Sequence, residues 1–177
     1  LFGRSTQESA VFQLRSQLPP EVGCIYWRTP CRPDISPLTP WYAGITATPE
    51  SYGPLGEPAR LLSLDQHFRP PAGTFEPDLR RAWWKFVDLA RLADEDYAGR
   101  AGKVRGAWAE AEARYLDRQK SLEAEALRLW KEDADAARAL LTRYCGQLAT
   151  EACQEADRLR ESLGPVSRAP AASGRRR

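Results

Sequence analysis

Apolar and polar positions change rhythm once along this chain. Up to about residue 72 the apolar residues come in short runs rich in aromatic and β-branched side chains. Val11-Phe12-Gln13-Leu14 and Cys24-Ile25-Tyr26-Trp27 are two such runs, and they predict short β-strands. Pro19-Pro20 and Gly23 punctuate the interval between them. A proline-rich stretch follows, through Pro30, Pro33, Pro37, Pro40 and Pro49. Proline fixes φ and lacks a ladder donor, so this stretch is expected to be loop or sheet edge. It also holds Trp41, Tyr42 and Ile45, which predicts a loop pinned by buried aromatics.

Near Gly73 the spacing switches to three and four. Thr74, Glu76, Pro77 and Asp78 read as a helix start, with a hydroxyl cap followed by proline and acids in the first turn. Leu79, Ala82, Trp83, Phe86, Val87 and Ala90 then mark one helical stripe. A second runs through Tyr97, Ala101, Val104, Trp108, Ala111 and Tyr115, its start weakened by Gly99, Gly102 and Gly106. A third carries Leu122, Ala126, Leu129 and Trp130. A fourth extends from Asp135 through Leu140, Tyr144, Leu148 and Leu159 to Leu163, where Gly164-Pro165 stops it. The expectation is an α+β chain in three parts: 1–72 rich in strands and loops, 73–164 helical, and 165–177 a disordered basic tail.

Composition narrows the function classes. The chain has 177 residues, 42% hydrophobic and 28% charged, which suits one globular domain or a large part of one. Its formal net charge is only +2, and Arg168, Arg175, Arg176 and Arg177 in the tail account for more than that. The remainder is slightly acidic, so nucleic acid and anionic membrane are not expected partners. No run of 18 apolar residues is present, and no bilayer span is expected. The first residues do not read as a signal peptide. The compartment stays open, with the cytoplasm slightly favoured. The sequence contains no Met, from which a fragment or a processed product is expected. Cys24, Cys31, Cys145 and Cys153 lack metal-ligand spacing, and His67 is the one histidine. The cysteines read as small buried hydrophobes, with a Cys24–Cys31 disulfide left open. No metal or cofactor is implied.

Several segments, taken in order, resemble a known family. They are Val11-Phe12-Gln13-Leu14-Arg15 with Leu18-Pro19, then Cys24-Ile25-Tyr26-Trp27-Arg28. Ser36-Pro37-Leu38-Thr39-Pro40-Trp41-Tyr42-Ala43-Gly44-Ile45-Thr46 comes next, with Pro49-Glu50-Ser51-Tyr52. Phe68-Arg69-Pro70-Pro71, Gly73-Thr74-Phe75 and Ala82-Trp83-Trp84-Lys85-Phe86 complete the series. In order and spacing, over roughly residues 9–95, this resembles the secernin-related cysteine-type dipeptidases. The resemblance implies the C-terminal part of an N-terminal-nucleophile hydrolase, an αββα sandwich of two antiparallel sheets between helical layers. It also implies a protease acting on dipeptides or other small peptides through an acyl-enzyme on an N-terminal cysteine. An α-amine with a pKa of about 7.7–8.0 can serve as the base there, so no histidine is needed.

Leu1 departs from that pattern, having no nucleophilic atom, and the chain contains no Asn for an oxyanion donor. The nucleophile is therefore expected upstream of Leu1, in the remainder of a parent chain, and no catalytic residue carries over. Arg4 is a candidate for pairing with a substrate carboxylate. Trp27, Arg28, Trp41 and Tyr42 are candidates to line a pocket with apolar walls and one charge. Ordinary core packing is the competing reading for the aromatics. Trp83, Trp84, Trp108 and Trp130, at helical spacing, read as core. Asp34 and Asp65 read as turn formers, and His67 as a surface or structural residue. The competing function is a non-enzymatic interaction module, built from a proline-rich aromatic segment and a helical bundle.

Overall fold

The computed structural model describes residues 6–53, 63–70, 72 and 76–164. It is α+β: a small antiparallel sheet packed on long helices. The two predicted strands form as β1 (Ser9–Leu14) and β2 (Cys24–Thr29). They pair antiparallel from Ser9 opposite Thr29 to Leu14 opposite Cys24. The short helix α1 (Pro20–Gly23) connects them, with Pro20 at its first position, where a missing N–H costs nothing. The proline-rich stretch supplies a third strand, β3 (Thr39–Tyr42), which pairs with β2 from Ile25 opposite Tyr42 to Arg28 opposite Thr39. The sheet order is β1-β2-β3, so β3 is an edge strand and can accommodate Pro40.

Strand alternation splits the side chains of the sheet into two sets. Ile25, Trp27 and Tyr42 fall on one face, and all three are buried. They share an apolar cluster with Val22, Leu122, Ala126, Leu141 and Cys145. The opposite face carries Phe12, Leu14, Tyr26, Arg28 and Trp41. Only part of it is covered: Phe12 is 68% and Leu14 71% exposed. Phe12 stacks on Tyr26 with ring centroids 5.0 Å apart, a cross-strand pair that keeps an open face ordered.

After the short helix α2 (Leu64–Phe68), three helices dominate: α3 (Ala82–Asp94), α4 (Tyr97–Glu132) and α5 (Ala134–Leu163). The second and third predicted helices are thus one helix of 36 residues. Residues 116–121 contain no proline or glycine to stop it, and the apolar stripe only thins where that turn faces solvent, with Leu116 exposed. The expected start at Thr74 is also corrected. The helix begins at Ala82, and the Asp78 carboxylate takes the Arg80 amide at 3.0 Å in a turn ahead of it. Thr74 itself, Arg4 and the tail from 165 to 177 lie outside the described residues.

The other ends carry clear signals. Asp96 caps α4 by accepting from the Gly99 amide, and Asp133 caps α5 by accepting from the amides of Asp135 and Ala136 at 3.0 Å each. Gly164, at φ 57°, closes α5 in the left-handed region. Arg100 from α4 then donates to the carbonyls of Leu163 and Gly164, satisfying the end of α5. The second core cluster joins the three long helices through Phe86, Leu89, Val104, Trp108, Leu148 and Ala152. Cys31 and Ile35, from the segment between β2 and β3, complete it. The strand-and-loop part and the helices therefore share both cores. Among the described residues no helix is long and apolar enough to cross a membrane.

Candidate functional site

The pocket residues suggested by the sequence separate onto the two faces of the sheet. Trp27 is buried on the helix-facing side, where its Nε1–H donates to Gln13 Oε1 at 3.1 Å. Tyr42 lies on the same side and donates its hydroxyl proton to Glu123 Oε1 at 2.8 Å. Arg28 and Trp41 belong to the opposite face. Trp41 is buried, packs against Tyr52 at 5.1 Å between centroids, and donates through Nε1 to Thr39 Oγ1 at 3.1 Å. Arg28 pairs with Glu8 at 3.1 Å. Its Nε, buried, has no hydrogen-bond acceptor among the described residues.

Around Tyr42 the structure builds a polar knot. Glu123 accepts two bonds from Arg15 at 2.7 Å each, one from Gln119 at 2.8 Å and the Tyr42 bond. Arg15 also donates to the carbonyl of Val22 at 3.0 Å. Burial alone would raise the Glu123 carboxyl, but the Arg15, Gln119 and Tyr42 donors outweigh it and hold the group below its ordinary value. Burial, then the Glu123 acceptor, pushes the Tyr42 phenol far up, so it stays a proton donor. Every group here has its partner, and the knot ties β1, α1 and β3 to α4. It is a strut rather than an acid–base pair poised for chemistry.

A second polar cluster centres on Arg32, only 4% exposed. It grips Asp94 with bonds of 3.0 and 2.6 Å, and its Nε lies 3.3 Å from Asp34 Oδ1. Asp34 accepts from Tyr97 at 3.0 Å, and the guanidinium sits over the Tyr97 ring at 5.9 Å. Asp34, expected as a turn former, is thus also part of an ion-pair cluster.

The buried thiols are not activated nucleophiles. All four cysteines are free, Cys24 and Cys31, whose pairing the sequence left open, included. Burial pushes the Cys31 and Cys153 thiols up, and Cys145 up to about 11. Among the described residues no cluster of His, Cys, Asp and Glu could hold a metal. His67 is exposed on α2.

Among the described residues, a cleft that joins a sequence candidate to other chemistry lies beside Arg28. Arg28, Ser51, Tyr52, Arg81, Trp83 and Trp84 line it, with a cavity volume of about 160 Å³. Trp83 and Trp84 meet edge-on at 4.6 Å, and Trp83 is 39% exposed rather than core. One signal for this was present in the sequence. Adjacent helical residues point about 100° apart, so two neighbouring tryptophans cannot both fill one narrow stripe. The part played by Tyr52 and Arg81 had no such signal, because both arrive through tertiary packing. Comparison with family models and with curated proteins finds no match to this chain.

Proposed function

We propose that this chain is the C-terminal portion of a cysteine-type dipeptidase of the N-terminal-nucleophile type, with the nucleophile upstream of Leu1. The observation that carries the reading is the uncovered β1 side of the sheet. β3 is buried on both faces, whereas β1 leaves Phe12 and Leu14 on one face largely uncovered and Val11 on the other half-exposed. Exposed contiguous apolar surface of this kind marks an interface. A second sheet laid on the Phe12 and Leu14 face would complete an αββα sandwich. The ordered segment series over residues 9–95 supports the same assignment.

In this reading an upstream cysteine thiolate attacks the carbonyl of a small peptide, the chain's own α-amine takes the proton, and water releases the acyl group. The described part contributes no reacting atom. It supplies the lower sheet, the helical layer and the Arg28 cleft. That its buried thiols are held protonated fits a nucleophile located elsewhere. The unpaired edge of β1 also favours a second reading, a binding module that takes up a partner strand. Intact mass and N-terminal sequencing of the native protein separate the two. A longer chain beginning with cysteine that hydrolyses dipeptides supports the enzyme. A native chain with no N-terminal cysteine and no dipeptide hydrolysis refutes it.

A further inference from the structure

We infer that the cleft between the open face of the sheet and the start of α3 binds a carboxylate carried on an apolar or aromatic group. The inference rests on the groups in the cleft and stands independently of the dipeptidase reading. Arg28 and Arg81 both line the cleft, and among the described residues none that lines it is an acid. Arg28 spends one nitrogen on Glu8 at 3.1 Å, while its buried Nε–H lacks an acceptor among the described residues. Buried donors are rarely left unsatisfied, so Arg28 is an under-satisfied cation beside the cleft. Arg81 donates to the Glu50 carbonyl at 2.7 Å and has no carboxylate partner among the described residues. Its neighbour Arg80 is held by Asp78 through two bonds of 2.8 Å, which leaves Arg81 as the arginine of this pair that lines the cleft.

The backbone adds to this field. Helix α3 begins in the cleft wall at Ala82 with no side-chain cap and no acid in its first turn. No side-chain cap competes there among the described residues, so the positive dipole end favours an anion beside the two arginines.

The walls choose among anions. Tyr52, braced by Trp41 at 5.1 Å, and the Trp83–Trp84 pair offer apolar surface that inorganic phosphate cannot use. The volume equals about five waters at liquid density, enough for a carboxylate and a short stem, with the rest of the ligand lying along the exposed Trp83. A planar carboxylate also suits the two-pronged geometry of a guanidinium.

The test is calorimetric titration of the 177-residue chain at low salt with three probes: N-acetyl-phenylalanine, its amide, and inorganic phosphate. The acid is expected to bind at least tenfold tighter than either of the others, because one charge-assisted bond separates them and the walls add to it. Arg28→Gln should weaken the acid at least tenfold with an unchanged circular dichroism spectrum. Glu8→Gln should tighten it, since Glu8 competes for the same guanidinium. Should Arg28→Gln fail to fold, Glu8→Gln and Arg81→Gln decide. Equal binding of acid and amide, phosphate binding as tight as the acid, no binding of any probe, or an unchanged affinity in Glu8→Gln and Arg81→Gln overturns the inference. None of these failures touches the N-terminal sequencing result, so the two proposals fail separately.

Discussion

Replacing Glu123 by Gln keeps the shape of the polar knot and removes its charge. The carboxylate accepts from Arg15 twice at 2.7 Å, from Gln119 at 2.8 Å and from Tyr42 at 2.8 Å. A glutamine retains the oxygen that three of these donors share. Its amide nitrogen then meets an Arg15 N–H, donor against donor, and the guanidinium loses its counter-charge. The Arg15 and Glu123 side chains are 20% and 14% exposed, so solvent screens the loss only in part. A hydrogen bond to a charged group contributes about 1.5–3 kcal/mol, and breaking a buried pair from one side costs about 3–5 kcal/mol. With partial exposure the expected loss at pH 7 is about 2–3 kcal/mol. The sign with pH follows from the depressed folded-state pKa of Glu123. Its stabilisation is complete above the unfolded value of about 4.3 and disappears as the pH falls through the lower folded value. Glutamine does not titrate, so the gap between wild type and variant should narrow by about half or more from pH 7 to pH 3. Urea unfolding of both proteins at the two pH values measures this. A gap that is the same at both, or under about 0.5 kcal/mol at pH 7, would refute the assignment of Glu123 as the charged hub.

Other expectations test the packing directly. A Cβ at Gly44 would lie 2.8 Å from Glu21 Cβ and 3.0 Å from Leu141 Cδ1, so Gly44→Ala should destabilise by about 1–3 kcal/mol in urea unfolding. Gly102, inside α4 with nothing within 4 Å of such an atom, should behave oppositely: Gly102→Ala is expected to raise stability by about 0.5–1 kcal/mol, read as an increased melting temperature. Trp108 is fully buried and donates to the Ile35 carbonyl, so Trp108→Ala should cost about 3–5 kcal/mol, and a loss below 1 kcal/mol would mean that the helical core is not assembled as described. A thiol reagent at pH 8 should modify Cys24 well before Cys31, Cys145 and Cys153, whose burial favours the neutral thiol; mass spectrometry of the partly labelled chain identifies the order.

Local rules reach a long way into this chain. The β-rich runs Val11–Leu14 and Cys24–Trp27 specify the strands, and the three-and-four spacing of Phe86, Ala90, Val104 and Trp108 specifies helices and their buried side. Asp96, Asp133 and Gly164 set helix ends through side-chain and backbone chemistry confined to one turn. What local rules leave open depends on partners distant in sequence. The proline-rich stretch reads equally as loop or edge, and only pairing with β2 makes Thr39–Tyr42 a strand. Trp27 and Arg28 are neighbours in sequence, yet the pleat sends one to the helices and the other to the open face. Glu123 looks like any helix-surface acid until Arg15, 108 positions earlier, is brought against it. The Arg28 cleft likewise needs β2, the Glu50–Tyr52 turn and the start of α3 in one place. The sequence by itself therefore determined β1, β2 and most of the helical stripes, because spacing and capping act within a few residues. Only the tertiary structure decided which polar groups are neutralised and which are left facing a cleft, because those pairings are made across the fold.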